Sequence, residues 1–228
     1  GCAVLPVESD SAGSAAASAE SNQSIEKAPA SEINSVHLRD NAELYNVYDD
    51  SGIVTMYLTV SRGNDSENTN HSWAEINHYS AYDYTAMGVA RYQVNGLLQV
   101  GDENGPLAGE VGYDTHAPNA TVQIRGQTSS RYTQKNYKVK LKKNKGSWRG
   151  QRTIALSKHQ GEGLRFRNKM AYDLIKGIDQ MMGLRTQFVH LYVKDLTDSA
   201  SGVFEDYGLY TQVEQLNKTA LKAHGVDP

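Results

Sequence analysis

The sequence predicts an α+β fold: a β-rich N-terminal region, then an antiparallel sheet carrying one main helix. Three observations lead there. Apolar and polar residues alternate in several short runs, the period of half-buried strands, as in Thr121–Ile124 and Tyr137–Leu141. The clearest helical spacing of apolar residues belongs to one segment, Leu164–Lys176. Clusters of Gly, Asp and Asn fall between the runs, where the chain must turn.

At 228 residues the chain can hold one large domain or two small ones. It has no run of about 18 apolar residues of the kind that crosses a bilayer as a helix. The net charge of −3 conceals an asymmetry. Arg125 to Lys169 carries 14 of the 23 Lys and Arg residues and one acid, Glu162, so this segment is +13 and the remainder −16. A basic centre in an acidic protein points to an anionic ligand, or to a strip paired with the acidic remainder of the same protein. No nucleic-acid-binding signature accompanies it, so no nucleic-acid partner is expected. The single cysteine, Cys2, excludes an intrachain disulfide. Gly1-Cys2 before a long small and polar stretch resembles the end of a bacterial lipoprotein signal peptide, whose cysteine becomes the lipidated N-terminus. The alternative is an unremarkable N-terminal cysteine. On the lipoprotein reading the protein is extracytoplasmic, at the cell surface, and held to the membrane through Cys2.

Residues 1–35 are assigned to this N-terminus and a disordered tether, because Glu8 to Ser35 has almost nothing to bury. Residues 36–118 form a β-rich accessory region. Leu44–Tyr48 and Ile53–Val60 are expected strands, joined by the turn Asp49-Asp50-Ser51-Gly52. Arg62–Asn70 is a polar loop. Ser72-Trp73-Ala74-Glu75 fits a capping box opening a short helix to about Tyr79. Arg91–Val100 is expected as a hairpin turning at Asn95-Gly96, and Gly101–Pro118 as a long loop. Asn64, Asp65, Asp102 and Asn104 offer oxygens suited to calcium but lack EF-hand spacing, so ordinary loop polarity is preferred.

Residues 119–228 hold the stretch on which function turns. Thr121–Ile124 is a strand, Arg125-Gly126-Gln127-Thr128-Ser129-Ser130 a donor-rich loop, and the next strand puts Tyr137, Val139 and Leu141 on one face, Lys138, Lys140 and Lys142 on the other. Backbone N–H groups, hydroxyls and a lysine together suit phosphate. The plain alternative is a solvated hairpin whose lysines protect an exposed edge. Thr153–Leu156 is a further strand. In the helix Leu164–Lys176, stopped by Gly177, Arg167 falls inside the apolar arc and must find anionic or carbonyl partners. Gln187–Val193 and Tyr207–Val213 are strands, and Asn217 caps a last helix, Lys218–His224.

The order β-β-β-α-β-β is that of a protein-kinase-like N-lobe. The motifs Ile124–Ser130, Lys135–Leu141, Arg167–Leu174 and Tyr207–Gln215 resemble the CotH (spore coat protein H) kinase family, from about Thr121 to Gln215. The resemblance implies an atypical kinase that transfers phosphate from ATP to serines of extracytoplasmic or spore-coat proteins, using a divalent metal, Mg or Mn. It implies a phosphate loop containing Arg125, Gly126, Ser129 and Ser130. Lys135 and Lys138 are both candidates for the nucleotide lysine, with Lys138 preferred because it lies inside the strand. Arg167 and Asn168 belong to the family's helix motif. Glu214 falls at the hinge near the adenine, or else is a strand-end carboxylate in solvent. The helix lacks the usual inward glutamate, and Asp173 is the nearest substitute. The catalytic base and metal ligands are expected beyond Pro228, in an absent C-lobe, so none is named and this part alone is expected to be inactive. The alternative is a non-catalytic surface or coat protein that uses the same fold for assembly or binding. A weaker third reading is a glycan-binding β domain.

Overall fold

The computed structural model describes residues 52–158 and 186–215. The architecture there is α+β and mostly sheet. The elements are β1 (Ile53–Ser61), α1 (Trp73–His78), α2 (Ala81–Met87), β2 (Val94–Asp102), β3 (Gly105–Pro106), β4 (Ala120–Arg125), a 3-10 turn (Thr128–Arg131), β5 (Asn136–Leu141), β6 (Thr153–Ser157), β7 (Thr186–Asp195) and β8 (Glu205–Val213). The strand order is β1-β7-β8-β6-β5-β4-β2-β3, and β1 also pairs with β2. The sheet therefore closes on itself as a barrel, with β3 hanging from the end of β2. The pairings are antiparallel except β1 with β7, which run parallel from Ile53↔Phe188 to Val60↔Asp195. Strands from both sides of residue 119 thus share one sheet.

Alternation explains the closure. Met56, Leu58 and Val60 of β1, Val122 and Ile124 of β4, Val139 and Leu141 of β5, and Leu191 and Val193 of β7 are almost wholly buried in one apolar cluster. Their sequence neighbours face outward, as the period of two requires. At the end of the barrel where β5 begins, α1 covers the interior. Trp73 stacks on Tyr137 with ring centroids 5.1 Å apart, and its Nε1 donates to the Tyr207 hydroxyl at 2.8 Å. The Tyr137 hydroxyl donates to Asn77 Oδ1.

The expected capping box is present: Glu75 N donates to Ser72 Oγ, and Ser72 N to Glu75 Oε2. A second box, Ser80 with Asp83, opens α2, which was not foreseen in the sequence. The expected hairpin at Asn95-Gly96 is corrected, because both residues lie inside the continuous strand β2. Packing overrides the turn chemistry there. A Cβ on Gly96 would sit 2.8 Å from Val122 Cγ2, so glycine lets β4 approach closely, and Asn119 braces β2 by accepting from Leu98 N at 2.8 Å and donating to Leu98 O at 2.9 Å. The polar loop residues are engaged locally. Asn64 Oδ1 accepts from Ser66 Oγ and Glu67 N, Asp65 Oδ1 from Asn70, and Asp102 Oδ1 from Asn104 N. The expected strand Leu44–Tyr48 and the helices Leu164–Lys176 and Lys218–His224 lie outside the described residues, as do Cys2 and the tether.

Candidate anion site on the outer sheet face

The loop between β4 and β5 is held by its own side chains. Gly126 has a φ of +92°, and a Cβ there would meet Ser129 Oγ at 2.1 Å, so the tight exit from β4 requires glycine. Ser129 Oγ accepts from Asn136 Nδ2 at 3.1 Å, and Asn136 Oδ1 accepts from Lys158 N at 2.7 Å. Asn136 thereby ties the loop to the end of β6. Ser130 is fully buried. Its hydroxyl accepts from Ala81 N, the first residue of α2, at 2.9 Å and donates to Gln127 O. Lys135 is only 6% exposed, and its ammonium donates to the Ser130 carbonyl. Burial holds the Lys135 pKa below the usual lysine value, with Asp83 opposing the shift. Ser130 and Lys135 thus anchor the loop to α2.

Lys138 stands elsewhere. It opposes Gln123 on β4 and Ala155 on β6, on the outward face, where Gln93, Thr121, Gln123, Lys138 and Lys140 line a groove of about 180 Å³. Among the described residues no carboxylate lines this groove. Partial burial lowers the Lys138 pKa first, and repulsion from Lys140, Arg91 and Arg125 lowers it further. Arg125 reaches across the same face, its Nη1 donating to Ser157 Oγ at 3.3 Å, while Arg91 Nη1 donates to the Ile124 carbonyl at 3.2 Å. Thr211, paired with Ser157, has a buried hydroxyl with no hydrogen-bond partner among the described residues. The cations of this face gather around the groove, where an anion would relieve their mutual repulsion.

The fold therefore brings Arg125, Gly126, Ser129 and Lys138 to one end and face of the β4–β5–β6 sheet, and turns Ser130 and Lys135 inward. Glu214 lies just beyond the end of β8. Thr211 pairs with Ser157 at the loop end, Val213 with Ala155, and Glu214 continues away to accept from Gln151 Nε2 at 3.3 Å. It is 1% exposed, not a solvated strand end. Arg167, Asn168 and Asp173 lie outside the described residues. Sequence reasoning missed Arg91 and Gln93, which β2–β4 pairing carries to the site from a distant segment. It also passed over Lys140 and Asn136 as site residues, although their outward register was readable in the alternation. Among the described residues no group of three or more His, Cys, Asp or Glu stands together as metal ligands.

The described residues thus form a closed β barrel with a cation-lined groove beside a short glycine-and-hydroxyl loop. Residues 122–228 match the family model described as CotH kinase protein, a match that starts in β4 and supports placing this part of the chain in the CotH family. No curated protein matches the chain.

Proposed function

We propose that the chain carries the nucleotide-binding part of an atypical, CotH-like kinase that transfers phosphate from ATP to serines of extracytoplasmic or spore-coat proteins. The observation that carries this reading is Lys138, a half-buried lysine crowded by other cations and facing a groove that no described carboxylate lines, inside the segment that matches the family model. The Lys138 ammonium, the Arg125 guanidinium and the N–H groups and hydroxyl of the Gly126–Ser129 loop would surround the phosphate oxygens and offset their charge. Asn136 would keep the loop shaped for them. A divalent metal, when bound, would neutralise charge on the phosphates. The described residues offer no ligand cluster for it, so no ligand and no catalytic base is assigned. Attachment to the membrane through a lipidated Cys2, with exposure to serine-bearing proteins at the cell surface, belongs to the same proposal.

The test is calorimetric titration of the chain with ATP. Wild-type protein is expected to bind, and Lys138→Met to bind at least about tenfold more weakly. Absence of ATP binding by the wild type, or unchanged binding by Lys138→Met, overturns the reading. Labelling of a serine-rich acceptor by the complete protein then tests transfer itself.

A further inference from the structure

We propose that the lysine row of β5, continued into the turn that follows, docks an extended peptide bearing anionic side chains at alternate positions. On the phosphotransfer reading this peptide is the segment flanking the acceptor serine; the docking itself does not depend on that reading.

The ordinary explanation for a strand of lysines is protection of an exposed sheet edge. It does not apply, because β5 is flanked by β4 and β6 inside a closed sheet. From Arg125 to Lys158 the sequence holds eleven Lys and Arg residues and no acid. Lys138 and Lys140 project outward, and Lys142 continues the row, its Nζ donating to Asn95 Oδ1 at 3.1 Å. Lys143 and Lys145 are exposed in the turn beyond. None of these five lysines takes part in an ion pair among the described residues. Among the described residues this line of like charge has no compensating carboxylate, which favours an external polyanion.

The spacing narrows the partner. Alternate residues of a strand stand about 7 Å apart on one face, and an extended peptide presents its own alternate side chains at the same interval. A peptide laid along β5 can therefore set successive carboxylates or phosphates against Lys140 and Lys142, with Lys143 and Lys145 beyond its end. The groove floor of Gln93, Thr121 and Gln123 supplies further polar partners. The backbone groups of β4 and β5 are already paired with each other. Recognition must therefore run through side chains rather than strand addition.

The experiment uses the whole chain without nucleotide and follows fluorescence anisotropy of labelled peptides. The probes are a Glu-Ser repeat, a phosphoserine-Ala repeat, an isomer of the first with its glutamates in one block, and a Lys-Ser repeat. At least one alternating anionic peptide is expected to bind best, more weakly as salt rises. The loss is expected to be at least about tenfold in the Lys140→Glu, Lys143→Glu double variant, whose circular dichroism and Tm are checked against wild type. The milder pair Lys140→Gln, Lys143→Gln replaces it if charge reversal lowers the Tm. Tighter binding of either anion source supports the row and identifies the anion. Equal binding of the block isomer or the Lys-Ser repeat, or unchanged binding by the folded double variant, overturns the proposal. So does binding only to phosphatidylglycerol vesicles or duplex DNA. Failure to bind ATP would sink the kinase reading and leave this result standing.

Discussion

Lys135 and Lys138 sit close together in one segment, and their surroundings give them different work. Lys135 is buried, and its ammonium serves the Ser130 carbonyl of the loop. Lys135→Met should lower stability by about 1–3 kcal/mol in urea denaturation, because the buried carbonyl loses a charged donor. Lys138→Met should change stability by less than about 0.5 kcal/mol, because it breaks no comparable contact. Both lysines were legible as candidates in the sequence. Their separation was not, because Lys135 serves a loop that is tied through Ser130 to α2, which is remote in the chain. A second residue-scale expectation concerns His190, whose Nδ1 lies 2.7 Å from Glu103 Oε1 and whose Nε2 lies 2.7 Å from Asp206 Oδ1. Partial burial works to lower its pKa, but the bonds to Asp206 and Glu103 outweigh this and raise it above the ordinary value. The Tyr192 hydroxyl and His190 hold Glu103 below its ordinary value. The histidine's contribution is fully present below its unfolded pKa of about 6.5 and is lost as pH rises through the raised folded value. The Glu103 contribution is present above its unfolded pKa of about 4.3 and is lost as pH falls through the lowered folded value. Proton NMR should therefore place the His190 titration above about 6.5. The Tm deficit of Glu103→Gln should be largest between those limits and shrink as pH rises past the His190 midpoint; a deficit that grows there would contradict the assignment.

β2 shows where local sequence rules give way to packing between elements. Asn-Gly is strong hairpin chemistry, yet Gly96 lies in mid-strand because Val122 needs the space of a side chain. Gly96→Ala should cost about 1–3 kcal/mol by overpacking. Asn119→Ala should cost about 2–3 kcal/mol by leaving the Leu98 N–H and C=O without their partner, and should speed hydrogen exchange at the Leu98 amide. The strands of alternating pattern — β1, β4, β5 and β7 — were readable, since alternation states directly which side chains face a core, whereas β6 and β8 were readable only as short strand-forming runs between turns. The helix α1 was readable through its capping box. α2 carries an equally good box in Ser80 and Asp83, but it is short and has too few apolar residues to show a period.

At the scale of the whole molecule, β1 is the closing element. It joins β2 on one side and β7 on the other, and a chain beginning at Arg62 would leave both partners with open edges. Such a truncation is expected to lose its cooperative thermal transition and to associate, as calorimetry and light scattering would show; a sharp transition from a monomer would refute this role for β1. No local pattern in the sequence announces the closure, because it rests on pairing between segments far apart in the chain. By contrast, β4, β5 and β6 follow one another as adjacent antiparallel strands, and the candidate anion site is built mainly on them. That arrangement has a consequence for the order of events in folding. Contacts close in sequence form at small entropic cost, whereas Ile53 must wait for Phe188 to be available. During synthesis from the N-terminus, β1 emerges early and stands with an unmatched edge until β7 follows, while the β4–β6 meander can already assemble. The ring is thus expected to shut late, and the interval before it shuts is when this chain is most exposed to mispairing.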